Sequence, residues 1–191
     1  MSNYLLNSMY SIIISSYNEP DLDVLVARIQ RMYDFEIIVI DDGSTPRLAL
    51  KDTCQKVSII RNEKNRGKGY SILRGVKESA ERGFKHSIVI DADFQHDPED
   101  IESFIDESQQ YDMIMGYRKF KSPMPFFRIA SNKITSFIIS SIIRKKIKDS
   151  QCGFRMYRNS IFKNLIFNET GFQFESEVLL KSGKNIRIKQ V

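Results

Sequence analysis

Short runs of mostly apolar residues recur along the first part of the chain. These runs lie at Ser11–Ile14, Glu36–Ile40, Val57–Ile60, Ile88–Ile90 and Met113–Met115. Strands that are apolar at almost every position are buried on both faces, which is typical of parallel strands covered by helices. The pattern therefore predicts a mostly parallel sheet at the centre of the fold.

Helical spacing of apolar residues separates these predicted strands. After Asp21 the apolar positions follow a helical period, at Leu22, Leu25, Val26, Ile29 and Met32. Further helices are predicted from Pro46 to about Cys54, from Tyr70 to Arg82 with Gly83 closing the last turn, and from Pro98 to about Gln110. The alternation of strand and helix predicts an α/β fold with helices flanking the sheet.

The alternation stops after Gly116. Residues 117–127 are basic, aromatic and interrupted by proline, and we expect a loop there. The remaining segments are predicted as an amphipathic helix, a short strand, two short helices and a last strand, at Arg128–Lys146, Arg155–Tyr157, Ser160–Phe167, Glu175–Lys181 and Ile186–Val191. No linker or internal repeat divides the sequence, so residues 1–191 are predicted to form a single domain.

Composition narrows the classes of protein to which the chain can belong. Of its 191 residues 41% are hydrophobic and 28% are charged, as expected for a globular domain with its own core. The net charge of +5 favours an anionic partner such as a phosphate ester, nucleic acid or an acidic membrane surface, although a solvated basic surface would give the same excess. Two cysteines are too few for a disulfide framework and indicate a reducing compartment.

The sequence carries no signal for export or for membrane insertion. The first residues have neither the basic region nor the small-residue cleavage site of a signal peptide. No uninterrupted apolar run reaches the roughly 18 residues that span a bilayer. We therefore expect neither a signal peptide nor a membrane-spanning helix.

Polar and mostly acidic residues follow three of the predicted strands. They are Asn18 and Glu19, Asp41 and Asp42, and Asp91 and Asp93. Helix capping would explain any single cluster, but three clusters at the carboxyl edge of one parallel sheet outline an acidic crevice, which is where open α/β sheets bind ligands. Two carboxylates that flank one residue can share a divalent cation, and hard oxygen ligands suit Mg²⁺ or Mn²⁺.

Two further segments carry candidate chemistry. The glycine loop Asn65–Gly69 departs from the P-loop pattern, but its glycines would let a ligand approach the backbone at a helix start. Basic and aromatic residues are mixed between Tyr117 and Arg128. Three interpretations are open: the segment stacks on nucleic-acid bases, it holds an anionic lipid headgroup, or it is an ordinary solvated loop. His96 lies beside the carboxylates, and we expect it to be structural rather than a metal ligand.

Six ordered motifs resemble glycosyltransferase family 2, and within it the branch that transfers hexoses to dolichyl or polyprenyl phosphate. They are YNE at Tyr17–Glu19, VIDDGS at Val39–Ser44, NRGKG at Asn65–Gly69, DADFQHDPEDI at Asp91–Ile101, DSQCGFR at Asp149–Arg155 and FESE at Phe174–Glu177. The resemblance implies a Rossmann-like, nucleotide-sugar-binding fold of the glycosyltransferase A type. Residues 1–116 would bind the nucleotide sugar and residues 117–191 the acceptor.

Matching motif positions imply roles for individual residues. Those implied to contact the nucleotide sugar are Ser15, Tyr17, Glu19, Asp41, Asp42, Lys68, Asp91, Ala92 and Asp93. Those implied to surround the Mg²⁺ or Mn²⁺ ion are Asp91, Asp93 and Gln95. The implied catalytic residues are Asp91 and Asp93, with Arg118 and Arg128 at the phosphate of the lipid acceptor. If the acceptor is a sugar hydroxyl instead, Glu175 or Glu177 is the candidate general base.

The implied activity is inverting, metal-dependent transfer of a hexose from GDP-mannose or a UDP-hexose to polyprenyl or dolichyl phosphate. We then expect a cytoplasmic protein, peripheral on the cytoplasmic face of the membrane, that binds no nucleic acid and has a membrane protein as a candidate partner. Two alternatives stay open. One is a glycosyltransferase that acts on a sugar hydroxyl in polysaccharide or glycoprotein synthesis, and the other is a non-catalytic protein that binds a membrane surface or nucleic acid.

The chain departs from the family pattern at three places. The family has proline at the position of Ser15 and glycine at the position of Phe94, so a bulky ring stands inside the predicted metal loop. Many relatives continue beyond the position of Val191 with another strand and a basic loop. We therefore expect the acceptor end of the site to lack elements that these relatives have.

Overall fold

A seven-stranded sheet forms the centre of the protein. The structure is a computed structural model that describes residues 8–50, 56–117, 126–168, 171 and 173–191. Within this part of the chain the strands are β1 Tyr10–Ser16, β2 Glu36–Asp41, β3 Val57–Arg61, β4 His86–Val89, β5 Met113–Met115, β6 Arg155–Arg158 and β7 Ile188–Gln190. Each of them overlaps a segment that the hydrophobic pattern predicts as a strand.

Five α-helices occur in the same described ranges. They are α1 Leu22–Met32, α2 Lys68–Glu81, α3 Ile101–Glu107, α4 Phe126–Ile143 and α5 Phe174–Ser182, with short 3₁₀ turns at Pro98–Asp100 and Asn159–Phe162. Every one of the five lies where the sequence predicts a helix. No helix in the described part of the chain is long and apolar enough to cross a bilayer.

The sheet is mostly parallel, as predicted. The strand order is β3-β2-β1-β4-β6-β5-β7. The pairs β1–β2, β1–β4, β2–β3 and β5–β7 are parallel, whereas β6 runs antiparallel to both β4 and β5. A strand from residues 117–191 is thus inserted between two strands from residues 1–116, so the two predicted parts share one sheet.

The strand order reverses direction at β1. From β1 the chain adds β2 and then β3 on one side, and it returns through α2 to place β4 on the other side of β1. Such a switch point opens a crevice at the carboxyl ends of the two strands, because the following connections depart to opposite sides. The predicted acidic loops belong to this edge.

Helices cover both faces of the sheet and bury it. One core lies under α1 and α3, and its fully buried members include Ile12, Ile14, Leu25, Val39 and Phe104. The other lies under α2, α4 and α5, and its members include Ile13, Ile38, Val76, Ile139 and Val178. The alternation of Ile12, Ile13 and Ile14 between the two cores explains why β1 is apolar at successive positions.

Two predicted helices are wrong in the parts that the structure describes. Residues 46–50 are not helical, because Leu48 and Leu50 both pack against the core under α1 with the two-residue spacing of an extended chain; residues 51–55 lie outside the described residues. The predicted helix Ser160–Phe167 is reduced to the 3₁₀ turn that ends at Phe162. Beyond it the chain is held by contacts that do not have helical spacing, since the rings of Phe162 and Phe167 pack together at 5.5 Å.

Candidate active site

The loops that follow β1, β2 and β4 meet at one edge of the sheet. Ser16 at the end of β1 is paired in register with Asp41 at the end of β2, and Ile13 of β1 is paired with Val89 of β4. Because these strands are parallel, their carboxyl ends bring the three polar clusters together, as the sequence predicts. The site is therefore built by loops on a rigid sheet.

Asn18 joins the loop after β1 to the loop after β2. Its backbone N–H donates to Ser44 Oγ at 2.9 Å, and its Oδ1 accepts a hydrogen bond from the Thr45 N–H at 2.8 Å. The neighbouring Tyr17 is 48% exposed, so its ring is available to stack on a nucleoside base. Ser15 and Glu19, which are also predicted to contact the nucleotide sugar, are half-buried.

Asp41 orders the end of β2. It is completely buried; Oδ1 accepts a hydrogen bond from the Ser44 N–H at 2.8 Å, and Oδ2 pairs with Arg61, its neighbour in β3. Burial raises the pKa of Asp41, but the hydrogen bonds from Ser44 and Arg61 outweigh burial and hold the pKa below its ordinary value. The carboxylate is thus engaged by protein donors, and its contact with a nucleoside stays a prediction.

Asp42 holds the glycine loop that precedes α2. Its Oδ1 accepts a hydrogen bond from the Arg66 N–H at 2.9 Å, and its Oδ2 accepts one from the Gly67 N–H at 2.8 Å. The adjacent Gly43 has a φ of 81°, and a Cβ there would collide with the backbone of the same loop. Asp42 and Gly43 therefore position the loop from which Lys68 emerges, and a direct contact of Asp42 with the ligand stays a prediction.

The ammonium group of Lys68 lies between two carboxylates. Its Nζ is 2.8 Å from Asp91 Oδ1, 2.9 Å from Asp91 Oδ2 and 3.2 Å from Glu175 Oε1. Burial lowers the pKa of Lys68, but attraction to Asp91 and Glu175 outweighs burial and raises the pKa above its ordinary value. Lys68 is therefore a fixed positive charge at the crevice.

The two glutamates of the FESE motif have different roles. Glu175 is buried, and its Oε1 faces Lys68 Nζ at 3.2 Å. Glu177 accepts a hydrogen bond from the Asn168 N–H at 2.9 Å and pairs with Lys181 at 2.6 Å. Sequence reasoning proposed both as alternatives for a base, and only the packing of α5 distinguishes them.

Gly153 allows the segment before β6 to close over the Lys68–Asp91 pair. A Cβ at this position would lie 2.8 Å from Lys68 Nζ and closer still to Asp91 Oδ2, which is well inside van der Waals contact. The glycine of the QCGFR motif is therefore required by the close approach of its backbone to the pair. The motif contributes to the site through its shape.

Arg155 supports this segment from beneath. The side chain is completely buried and donates hydrogen bonds to three backbone carbonyl groups: Cys152 O at 2.7 Å, Ser150 O at 2.7 Å and Glu175 O at 2.9 Å. These bonds connect the QCGFR segment with the first turn of α5. The sequence contains the motif, but no local pattern indicates that its arginine is a buried bridge.

The loop after β4 exposes the second carboxylate of the predicted metal site. Asp93 and Gln95 are both exposed, and Asp93 Oδ1 accepts a hydrogen bond from the Gln95 N–H at 3.1 Å. Phe94 between them has a φ of 57° and is 42% exposed. The left-handed region costs a residue with a Cβ roughly 1–2 kcal/mol, which accounts for the glycine of the family pattern at this position.

The donor set at this loop fits a divalent cation that binds together with a diphosphate. Asp91 and Asp93 supply hard oxygen atoms, but the described residues contain no group of three or more His, Cys, Asp or Glu side chains that could hold a metal. Mg²⁺ is commonly held by one or two carboxylates together with substrate phosphates. Such an ion would have to share Asp91 with Lys68.

Ala92, His96 and Asp97 of the DADFQHDP motif make contacts within the protein. Ala92 is buried in the core under α1. His96 Nε2 lies 3.7 Å from Cys152 Sγ, and the His96 ring packs against Phe154 with 5.2 Å between centroids. Asp97 caps the following 3₁₀ turn by accepting a hydrogen bond from the Glu99 N–H at 3.0 Å. The contacts of His96 are structural, as the sequence predicts, and the implied contact of Ala92 with the nucleotide sugar stays a prediction.

The predicted acceptor residues lie at the limit of the described structure. Arg118 lies outside the described residues, and Arg128 is described only as a backbone position in α4. Their contact with an acceptor phosphate therefore stays a prediction.

Helix α4 buries one face, on which polar residues lie beside Ile139 and Ile143, and exposes an apolar face. On the buried face, Asn132 Nδ2 donates to Asp149 Oδ1 at 2.8 Å, and Ser136 Oγ accepts a hydrogen bond from the Ser150 N–H at 2.9 Å. The apolar face is 46–73% exposed along its length and consists of Ile134, Phe137, Ile138 and Ile142. The buried polar residues of α4 thus hold the segment before the QCGFR motif, and the residues of its apolar face contact solvent.

The sequence matches the family model described as Glycosyl transferase family 2 over residues 11–166. This chain therefore belongs to glycosyltransferase family 2. This match confirms the resemblance of the six motifs to the family. It also supports a glycosyltransferase rather than a non-catalytic binding protein.

The names of two relatives include dolichol phosphate or dolichyl phosphate. Dolichol-phosphate mannosyltransferase of Pyrococcus furiosus is 32% identical over 197 residues, which cover 95% of this chain and 54% of that protein. UDP-N-acetylglucosamine–dolichyl-phosphate N-acetylglucosaminyltransferase of Methanococcus voltae is 28% identical over 208 residues, which cover 95% of this chain and 82% of that protein. This chain thus spans about half the length of the first relative and most of the second.

The fold is shared with solved structures of much lower sequence identity. Glucosyl-3-phosphoglycerate synthase of Mycobacterium tuberculosis superposes with a TM-score of 0.68 at 14% identity, covering all of this chain and 74% of that one. At this identity the similarity concerns the fold alone. It confirms the predicted α/β fold of the glycosyltransferase A type.

Proposed function

We propose that this chain transfers a hexose from a nucleotide sugar to a polyprenyl or dolichyl phosphate, with inversion and with a divalent metal ion. The observation that carries the proposal is the Asp91 carboxylate at the switch point of the sheet, 2.8 Å from Lys68 Nζ, with Asp93 exposed two residues later. This arrangement combines a fixed ammonium with hard oxygen ligands, which together suit a nucleotide diphosphate. The names of the two relatives support the acceptor class.

On the donor side, negative charge builds up on the diphosphate as its bond to the sugar breaks. A divalent ion at Asp91 and Asp93 would supply the positive charge that stabilises this leaving group. Lys68 brings a second positive charge to the same place, and its raised pKa keeps it protonated. The exposed Tyr17 ring and Glu19 would bind the nucleoside, on loops that Asp41 and Asp42 hold in place.

On the acceptor side, a lipid monophosphate needs no strong general base. Its second pKa is about 6, so its oxygen atoms are largely ionised at neutral pH. The protein must instead hold one anion close to another, and this requires cations. We assign this role to Arg118 and Arg128 from their motif positions, because a guanidinium group binds phosphate in a bidentate manner.

A sugar hydroxyl as acceptor would require a carboxylate that takes its proton. Glu175 is the candidate nearest to Asp91, but it is buried and faces the ammonium of Lys68. A hydroxyl group would reach it only after rearrangement of the site. This observation favours the phosphate acceptor over the hydroxyl acceptor.

The exposed apolar face of α4 supports contact with the membrane in which such an acceptor is embedded. Four large apolar side chains project from one side of the helix, with the exposed Lys133 and Arg144 beside them. Apolar side chains flanked by cations suit the interface of an anionic bilayer. We therefore propose peripheral association with the cytoplasmic face of the membrane.

A thermal-shift panel tests the donor half of the proposal. The purified protein is heated with GDP, UDP, GDP-mannose and UDP-glucose, each with and without Mn²⁺. A ligand that binds the folded state raises the midpoint by mass action, and we expect one nucleotide series to do so in a Mn²⁺-dependent way. If no nucleotide raises the midpoint under either condition, the donor assignment is wrong.

An acceptor screen tests the other half. Transfer of radiolabelled sugar is measured with dolichyl phosphate, undecaprenyl phosphate and free saccharides in parallel. We expect products only with the lipid phosphates. The double variant Arg118→Ala with Arg128→Ala should keep nucleotide binding and lose transfer to lipid phosphate. Transfer to free saccharides alone would favour the hydroxyl acceptor.

A further inference from the structure

A basic cavity opens at the outer edge of the sheet, beyond the carboxyl end of β3. Its volume is about 390 Å³. Among its lining residues are Arg61, Glu63, Lys64, Arg66, Tyr70 and Arg74. The cavity lies beside the edge strand β3, whereas the Lys68–Asp91 pair belongs to the crevice near β4. None of the roles assigned above accounts for it.

The charge of this cavity is strongly unbalanced. Four cationic side chains line it, against the single carboxylate of Glu63. Arg61 is paired with Asp41. Among the described residues, Lys64, Arg66 and Arg74 have no carboxylate within ion-pair distance. Cations gathered around a concave surface without counter-ions create a positive potential that attracts an anion.

Several of these cations are held in place before any ligand binds. The Arg66 guanidinium, from the loop before α2, lies 4.2 Å from the centroid of the Tyr70 ring in the first turn of that helix, which is a cation–π contact. Arg74 Nη1 donates to the Arg61 carbonyl at 2.9 Å and also to Asn62 Oδ1. Because these side chains are already ordered, a ligand would lose less entropy in binding them than in binding mobile surface lysines.

We propose that this cavity is a binding site for a phosphate monoester, separate from the donor crevice. Guanidinium groups match the geometry of phosphate oxygens, and two of them with Lys64 would surround a dianion. The cavity is larger than a phosphate ion and includes the Tyr70 ring, so there is room for an organic group on the ester. The same chemistry is offered by a soluble phosphate ester and by a lipid headgroup.

Binding is tested by thermal shift with glycerol 3-phosphate, in the absence of nucleotide and metal, against sodium chloride of equal ionic strength. We expect a rise in the midpoint above the chloride control. Arg66→Glu should weaken the apparent affinity by about tenfold or more, since a charge-assisted contact is lost. Lys64→Glu, an exposed substitution in the same loop, should act in the same direction.

Lys77→Glu is the matched control. It introduces the same acidic residue on α2, the helix that follows the loop of Arg66, but Lys77 is 76% exposed, lies outside the cavity and pairs with Glu81. Lys68→Met is the second control, because phosphate in the donor crevice would depend on Lys68 and not on Arg66. The proposal is overturned if the midpoint does not rise above chloride, if Lys77→Glu weakens binding as much as Arg66→Glu, or if only Lys68→Met abolishes it.

The two sources of the ligand are separated by sedimentation with vesicles. Vesicles of phosphatidylcholine alone are compared with vesicles that contain phosphatidic acid. Sedimentation with phosphatidic acid that is lost in Arg66→Glu and kept in Lys77→Glu assigns the site to a lipid headgroup. A response to glycerol 3-phosphate without vesicle binding through Arg66 assigns it to a soluble ester. The thermal-shift and sedimentation measurements use no sugar donor, so their outcomes are independent of the proposed transferase activity.

Discussion

Lys68 Nζ lies 2.8 Å from Asp91 Oδ1, so the lysine of the glycine loop neutralises the first carboxylate of the DADFQHDP motif. The two side chains come from the loop before α2 and the loop after β4, and only the fold brings them together. A metal ion predicted at Asp91 must share this carboxylate with an ammonium group. We therefore expect the protein alone to bind a divalent ion weakly and a nucleotide diphosphate to strengthen that binding.

Replacing Lys68 with Met should destabilise the protein and reduce its affinity for nucleotide. The substitution leaves Asp91 and Glu175 as two carboxylates without their shared cation in a largely buried place. We expect a loss of about 3 kcal/mol in the free energy of unfolding, the order found when one partner of a buried pair is removed. Denaturant unfolding measures the loss, and nucleotide titration measures the affinity.

The exposed Lys77 provides the comparison for that variant. Lys77→Met removes the same charge from the same helix at a solvent-exposed position, and its free energy of unfolding should change by less than about 0.5 kcal/mol. Equal losses of unfolding free energy in the two variants would show that the pairing of Lys68 with Asp91 makes no specific contribution to stability.

Replacing Asp93 with Ala should abolish transfer without unfolding the protein. Asp93 is exposed, and within the described structure its carboxylate accepts a hydrogen bond from the Gln95 N–H, so stability should change by less than about 1 kcal/mol. Loss of a group that stabilises the leaving group should lower the transfer rate on the order of 100-fold or more. Asp106→Ala, at an exposed acid of α3, is the control. Near-normal transfer by purified Asp93→Ala would remove the metal hypothesis.

Replacing Gly153 with Ala should push the QCGFR segment away from the Lys68–Asp91 pair. The new methyl group would overlap both side chains, and overpacking of this kind costs about 1–3 kcal/mol. We expect a lower unfolding free energy and weaker nucleotide binding. Gly171→Ala is the matched control, because a Cβ at Gly171 meets no atom of the described residues within 4 Å. If both variants have the same unfolding free energy and the same nucleotide affinity, the close approach at Gly153 contributes to neither property.

His86 should make the stability of the protein fall in mild acid. Burial, followed by the charges of Arg158 and Lys85, lowers the pKa of His86 to about 4, compared with about 6.5 for an exposed histidine. Between these values the unfolded chain binds a proton that the folded chain does not bind. The free energy of unfolding therefore decreases as the pH falls from about 6.5 to about 4, by up to about 3 kcal/mol from this residue.

Replacing His86 with Phe should remove this contribution. The Phe ring can keep the stacking on Tyr10, which lies 5.1 Å from the His86 ring. Denaturant unfolding at a series of pH values measures the free energy of unfolding of both proteins. Carboxylates titrate in both proteins, so their contribution cancels when one free energy is subtracted from the other. A wild-type slope that persists unchanged in the variant would contradict the assignment.

The positions of the strands, and the edge at which their polar ends meet, follow from local pattern. Ile12, Ile13 and Ile14 contact opposite cores in turn, so a strand buried on both faces has to be apolar throughout. Asp41 and Asp91 follow such strands directly, and parallel strands bring their carboxyl ends to one edge. These features depend on residues close in sequence, which is why they were predictable.

Where local pattern competes with tertiary contacts, the prediction fails. Pro46 is a plausible helix start, yet Leu48 and Leu50 both reach the core, and this requires an extended chain. The segment after Phe162 likewise follows its packing rather than its helical propensity. In both places the burial of two large side chains outweighs the weak preference of the backbone.

The sequence by itself determined the class of fold, the family, and the loops that form the candidate site, because buried strands and motif glycines leave a local signal. Only the tertiary structure decided that β6 enters the sheet antiparallel beside β4, that Arg155 is a buried bridge, and that Glu175 rather than Glu177 faces Lys68. These relationships join residues far apart in the chain. Their energy depends on distance and burial in three dimensions, and no periodicity or spacing along the sequence encodes it.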